Sequence, residues 1–163
     1  MALTILKWLA LTFVALTLLA VLAGQFGFLR GSAPADLGVR DGRLKPPSDT
    51  PNSVTSQAAL WPGHPQQAYA TVAPLALRGD GEATLARIDT LVKTWPGAEV
   101  VERSDDYLHV QFTTRVMKYT DDVEFWLDRA AGVVQVRSAS RLGKGDLGVN
   151  RARVEAIRAA LAA

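Results

Sequence analysis

The longest apolar run comes first. Residues 8–29, WLALTFVALTLLAVLAGQFGFL, carry no charge and one strongly polar side chain, Gln25. About 20 such residues in a helix cross a bilayer core, and the run lacks the polar face of a helix packed in a soluble core. Residues 1–30 therefore read as a membrane anchor or signal. Val21-Leu22-Ala23 offers a cleavage site of the signal-peptide kind, but the apolar run continues through Phe26, Phe28 and Leu29, which favours a retained anchor.

From residue 31 to about 65 no helical or strand period survives, and proline and glycine recur. Residues 31–50 read as a flexible linker, stiffened where Pro46-Pro47 favours extended backbone, and residues 51–163 as one domain. Asn52 and Ser53 read as turn formers, and Trp61 as a plug holding this region to the domain. A weak strand signal covers residues 70–77. Asp80 then reads as a helix N-cap, with Glu82 in the first turn. Leu85, Ile88, Leu91 and Val92 recur at helical spacing up to Trp95, and Pro96-Gly97 ends the helix.

Alternation of period two follows. Residues 98–103 are a first strand, and residues 107–113 a second with Leu108, Val110 and Phe112 on one face. Residues 121–129 place Val123, Phe125 and Leu127 on one face and Asp122, Glu124, Trp126 and Asp128 on the other. Ala130-Ala131-Gly132 turns the chain into a partner strand over 133–140. Pairing Asp128 with Val133 sets Trp126 against Gln135 and Glu124 against Arg137, a cross-strand ion pair on the face away from Phe125. His109 reads as a solvated strand residue. A final helix has Asn150 as its N-cap and Val154, Ile157 and Leu161 as its apolar face. The expected fold is α+β: an antiparallel sheet of about four strands with two main helices on one face, preceded by a transmembrane helix.

Charge changes the picture only when divided along the chain. Residues 1–45 hold five basic and two acidic side chains, and residues 46–163 thirteen and fourteen. The domain is nearly neutral and lacks the footprint of a phosphate-backbone binder, so no nucleic-acid partner is expected. Without cysteine, thiol chemistry, disulfides and thiolate metal sites are excluded. His64 and His109, the two histidines, lie at no metal-ligand spacing, so no metal and no cofactor is expected. Lys7 and the N-terminus favour an N-terminus inside, whereas Arg30, Arg40 and Arg43 favour the reverse. Export of the domain fits a short N-terminal anchor better.

Candidate chemistry gathers around one hairpin. Asp121, Asp122, Glu124, Arg137, Arg141, Asp146 and Asn150 can converge on one end of it. One reading is a polar ligand site in which Arg141, with Arg137, binds an anionic group as a planar fork, helped by N–H groups of the last helix beyond Gly148. The other is a charge network that fastens residues 141–150 to the sheet, with Arg141 neutralising Asp122. The network reading takes precedence, because ion-pair networks imitate sites. A bolder version makes Asp121 or Asp122 a general base.

The segments PNSVTSQ (51–57), DDVEF (121–125), VRSASRLG (136–143) and DLGVNR (146–151) together resemble the domain of unknown function 1499 family over about residues 46–161. The family usually has a cysteine where Ser53 stands and often another at Ser48, so the resemblance carries no thiol chemistry to this chain. It implies a fold and candidate residues but no reaction. The expectation is a single-pass protein of a bacterial inner membrane with a periplasmic binding or accessory domain. Its partners would be the membrane and a polar or anionic small molecule or an envelope protein. An envelope hydrolase is the alternative, and a scaffold pairing with another membrane protein through residues 8–29 a third possibility.

Overall fold

A computed structural model describes residues 1–162. Its first helix, α1 (Ala2–Gln25), is 24 residues long, with none of its most apolar stretch buried against the rest of the chain. At 1.5 Å per residue it extends about 36 Å, enough to cross a hydrocarbon core of about 30 Å. It is the one helix among the described residues that is long and apolar enough to do so.

The domain is α+β, and its sheet has six strands rather than about four: β1 (Ser53–Thr55), β2 (Leu75–Ala76), β3 (Ala98–Arg103), β4 (Tyr107–Thr113), β5 (Thr120–Asp128) and β6 (Val133–Ser140). All pair antiparallel in the order β1-β6-β5-β4-β3, and β2 continues the edge beside β1 on β6. The two extra strands are three and two residues long. β2 falls within the weak strand signal at residues 70–77, whereas β1 is too short for alternation to be read. The expected register of β5 and β6 is found, with Asp128 opposite Val133, Trp126 opposite Gln135 and Glu124 opposite Arg137.

Two helices of length, α3 (Gly81–Lys93) and α4 (Val149–Ala162), follow a one-turn helix, α2 (Gln67–Ala70). Asp80 caps α3, accepting from Ala83 N at 2.6 Å. Leu85, Ile88 and Val92 of α3 and Val154, Ile157 and Leu161 of α4 pack on the inner sheet face, against Val110, Val123, Phe125 and Val136. Asn150 is not the N-cap of α4. It lies inside the first turn, fully buried, and Asp146 does the capping: its carboxylate accepts from Gly148 N at 2.9 Å and Asn150 N at 3.0 Å.

The outer sheet face would be polar and wet were it bare. Instead residues 38–46, from the stretch whose sequence shows no period, lie across it. Leu44 is buried and its N–H donates to Gln57 Oε1 at 2.7 Å, Gln57 Nε2 donates to Gly42 O at 3.0 Å, and Arg137 Nε donates to Pro46 O at 3.3 Å. This strap contains no strand beyond a bridge between Arg40 and Arg43. Trp61 lies beside it, with the Arg43 guanidinium 5.7 Å from its ring centre.

The end of α1 touches the loop between β4 and β5: Gln25 Nε2 donates to Val116 O at 2.7 Å, and Gly24 lies so close that a Cβ would fall 2.6 Å from Met117 O. Gly31 passes equally close to Arg141 and Leu142. The 114–119 loop and the 141–149 loop thus sit where the apolar helix leaves the domain. The turns after β3 and β5 lie at the opposite end.

Candidate functional site

Strand phase divides the seven candidate residues between the two faces of the sheet. Asp122, Glu124, Arg137 and Arg141 belong to the outer face, and Asp121, Asp146 and Asn150 to the inner face and the start of α4. They do not form one cluster.

On the outer face the Glu124 side chain is 0% exposed and that of Arg137 4%, with Arg137 Nη1 3.5 Å from Glu124 Oε2. The expected cross-strand pair on the face away from Phe125 is found. The strap buries it, so its energetics follow the desolvation of two ions rather than the few tenths of a surface pair. Glu124 Oε1 is fully used, accepting from Tyr107 OH at 2.8 Å and from Gly38 N at 2.8 Å. Burial and then the Glu124 charge push the Tyr107 pKa well above its ordinary value. Burial pulls that of Arg137 down, against the opposing pull of Glu124, Asp122 and Asp36.

One step along, Arg141 clamps Asp122 bidentately, Nε to Oδ2 at 2.7 Å and Nη2 to Oδ1 at 2.8 Å. His109 Nε2 stands 2.8 Å from the same Oδ1. His109 is therefore not solvated. It is buried, in register across from Glu124 and diagonal to Asp122. Burial alone would raise the Asp122 pKa, but the hydrogen bonds from Arg141 and His109 prevail and hold it at about 2. The bond to Asp122 in turn raises the Arg141 pKa.

On the inner face Asn150 is the hub. Its amide N donates to Asn52 O at 3.1 Å, Ser140 Oγ at 3.0 Å and Asp146 Oδ2 at 2.8 Å. Its amide O accepts from Ser138 Oγ at 2.5 Å and Arg153 Nη1 at 2.8 Å. Arg153 Nη2 continues to Asp121 Oδ2 at 2.6 Å, and its guanidinium carbon lies 4.6 Å from the ring centre of Phe112. Asp146 Oδ1 accepts from Tyr69 OH at 2.6 Å. Burial opposes ionisation of Asp146, yet Tyr69 and the N–H groups of Gly148 and Asn150 hold its pKa below the ordinary value, and the same bond raises that of Tyr69.

Sequence reasoning missed His109, Tyr107, Arg153, Tyr69 and Asn52. His109 and Tyr107 share the outer phase of β4, so pairing β4 with β5 in register would have found them. Arg153 stands one helical turn beyond Asn150, a spacing visible in the sequence. Nothing local marks Tyr69.

Chemically, the buried carboxylates are occupied. Asp122 has both oxygens held by cations or N–H donors, and a carboxylate near pKa 2 is a poor proton acceptor at neutral pH. Ser138 and Ser140 face the other side of the sheet from His109, so no hydroxyl nucleophile stands beside that imidazole. Among the described residues no three His, Asp or Glu side chains are grouped to hold a metal ion.

Two adjoining clefts open at the end nearest α1, besides one of 390 Å³ along the strap and one of 520 Å³ between α3 and α4. A cleft of 600 Å³ is bordered by Arg30, Arg115, Lys118 and Arg141, with Glu99 the single acid. A second, of 350 Å³, is bordered by Tyr119, Leu142, Leu147 and Val149, with Asp121 and Asp146 at its floor. Thr114 and Thr120 border both.

The segments that build these networks are the ones by which the chain is recognised. PNSVTSQ supplies β1 and Asn52, DDVEF the acidic strand, VRSASRLG its arginine-bearing partner and DLGVNR the cap and hub of α4. Ser53 Oγ accepts from Ser48 N at 2.8 Å. No curated protein and no solved structure matches the chain. The model of the family described as "Protein of unknown function (DUF1499)" matches residues 43–161, from the strap to the last turn of α4. The chain belongs to that family.

Proposed function

We propose that the chain is a membrane-tethered binding or accessory module of a bacterial envelope, its domain held outside the cytoplasm directly against the membrane by α1. The observation that carries this reading is the division of charge: the buried Glu124 and Arg137 spend their hydrogen bonds on each other, Tyr107 and the strap, Asp122 on Arg141 and His109, and Asn150 on its neighbours around the start of α4, whereas a cleft bordered by cations without acidic partners lies at the end next to α1. Asp121, Arg141 and Asp146 border the two clefts at that end while also holding Arg153, Asp122 and the start of α4; the other four lie in the frame behind them. A hydrolase using Asp122 as general base finds no support in a carboxylate clamped by Arg141 and His109.

The test uses the absence of native cysteine. Asp105→Cys, at an exposed site in the turn after β3 and far from α1, is treated in intact spheroplasts with a membrane-impermeant maleimide. Labelling before lysis is expected, with retention of the chain in the membrane fraction after alkaline extraction. Labelling only after lysis would reverse the orientation, and release by alkali would remove the tether.

A further inference from the structure

Six of the ten arginines after residue 50 have an acidic partner among the described residues. Arg78, Arg87 and Arg151 have none but do not border the cleft next to α1, whereas Arg30, Arg115 and Lys118 have none and do. They gather at one cleft of a domain whose overall charge is near zero. That cleft is reached from the end of α1 in a few residues, since Gln25 bonds to Val116 and Arg30 follows five positions later. Phe26 and Phe28, both more than three-quarters exposed, flank the same level, where aromatic side chains favour a membrane interface.

The adjoining cleft has the complementary character. Leu147 is fully exposed and adopts a left-handed backbone conformation, φ 53°, just before Gly148. Both features are unfavourable for leucine in water. Leu142, Tyr119 and Val149 are also exposed beside it. An apolar phase lying against this rim would offset the exposure, and an anion in the neighbouring cleft would offset part of the charge of Arg30, Arg115 and Lys118.

We infer that this end of the domain binds one anionic glycerophospholipid of the bilayer. Its phosphate sits among Arg30, Arg115 and Lys118, and an acyl chain lies along Tyr119, Leu142, Leu147 and Val149. Thr114 and Thr120, which border both clefts, stand where the glycerol would pass from one to the other. Arg141 contributes less, because Asp122 already holds its fork. This inference deepens the binding-module reading and rests on α1 spanning the membrane. A free phosphate ester shares the headgroup chemistry but not the apolar half of the site.

The full chain is assembled into nanodiscs of equal phosphatidylglycerol and phosphatidylcholine, and the lipid retained on the protein is identified by native mass spectrometry. Phosphatidylglycerol is expected to be retained in preference. Replacing Arg115→Gln and Lys118→Gln together should lower that preference by about fivefold for each charge removed. Both side chains lie outside the buried networks, and glutamine leaves the loop its length. Leu142→Ser with Leu147→Ser should lower retention of either lipid by roughly tenfold. Glycerol 3-phosphate added to the buffer should leave the retained lipid in place. Equal retention of the two lipids, or a preference unchanged in the glutamine variant, overturns the inference while the tether stands. Displacement of lipid by glycerol 3-phosphate would assign the cleft to a soluble anion and overturn it too. Failure to co-elute with nanodiscs at all would remove the tether, and the lipid site with it.

Discussion

Replacing Arg141→Ala should unfold more than a surface mutation can account for, in a way that depends on pH. Asp122, its side chain 2% exposed, keeps only His109 once the guanidinium is gone. Removing one partner of a buried pair costs about 3–5 kcal/mol. The carboxyl can escape by taking a proton, and at pH 7 that costs about 4 kcal/mol for a group with an ordinary pKa near 3.8. The expected loss at pH 7 is therefore about 3–4 kcal/mol. At pH 5 protonation costs under about 2 kcal/mol, so the loss should shrink toward that figure.

The wild type has the opposite slope. Its Asp122 titrates at about 2 when folded, below the ordinary 3.8. The stabilisation, about 1–2 kcal/mol after allowance for solvent screening, is complete above pH 4 and lost as pH falls toward 2. In the variant the folded carboxyl is raised instead, so stability is gained as pH falls. Urea unfolding of the full chain in a non-ionic micelle, followed by tryptophan fluorescence at pH 7 and pH 5, measures both. The double variant Arg141→Ala with Asp122→Asn should recover part of the loss. A change below about 1 kcal/mol, equal at both pH values, would refute the burial argument.

Three further outcomes follow from the geometry. Asn150→Ala strands the acceptors and donors of Asn52, Ser138, Ser140 and Arg153 at once and should cost more than about 3 kcal/mol, read by thermal or urea unfolding. Gly97 has φ 76° and a Cβ there would fall 2.2 Å from Thr113 O, so Gly97→Ala should cost more than about 2 kcal/mol; Gly132→Ala, at φ 65° in open space, should cost about 1 kcal/mol by the same measurement. Gly24→Ala should leave global stability unchanged but speed amide exchange in residues 114–119, because it pushes that loop off the end of α1.

The sequence shows a structure wherever a period is long enough to read. The nine residues of β5 and eight of β6, joined at Gly132, place Glu124 against Arg137 by phase alone, and the apolar stripe of α3 ends where Pro96-Gly97 stops it. A strand of three residues holds no period, so β1 escapes, and β2, two residues within the 70–77 stretch, leaves only a weak signal. Burial of the outer face escapes for a different reason. The residues that cover it make side-chain and backbone bonds at separations of 86 to 91 positions, Gly38 to Glu124 and Pro46 to Arg137, and no local pattern reports such contacts. That is why His109 reads as solvated and is not. Asn150 misleads because asparagine favours the N-cap, whereas the side chain that reaches the free N–H groups belongs to Asp146, four residues earlier.

The central claim is that the 114–119 and 141–149 loops face the bilayer while the buried charges hold the frame behind them. β5 rises about 27 Å from Thr120 to Asp128, so the two ends of the sheet differ widely in depth. Single cysteines at Val116, Leu147 and Asp105 carry a fluorophore, and the full chain is placed in nanodiscs containing lipids spin-labelled at the headgroup. Strong quenching at 116 and 147 with little at 105 is the predicted result. Equal, weak quenching at all three would put the domain away from the membrane and contradict the account.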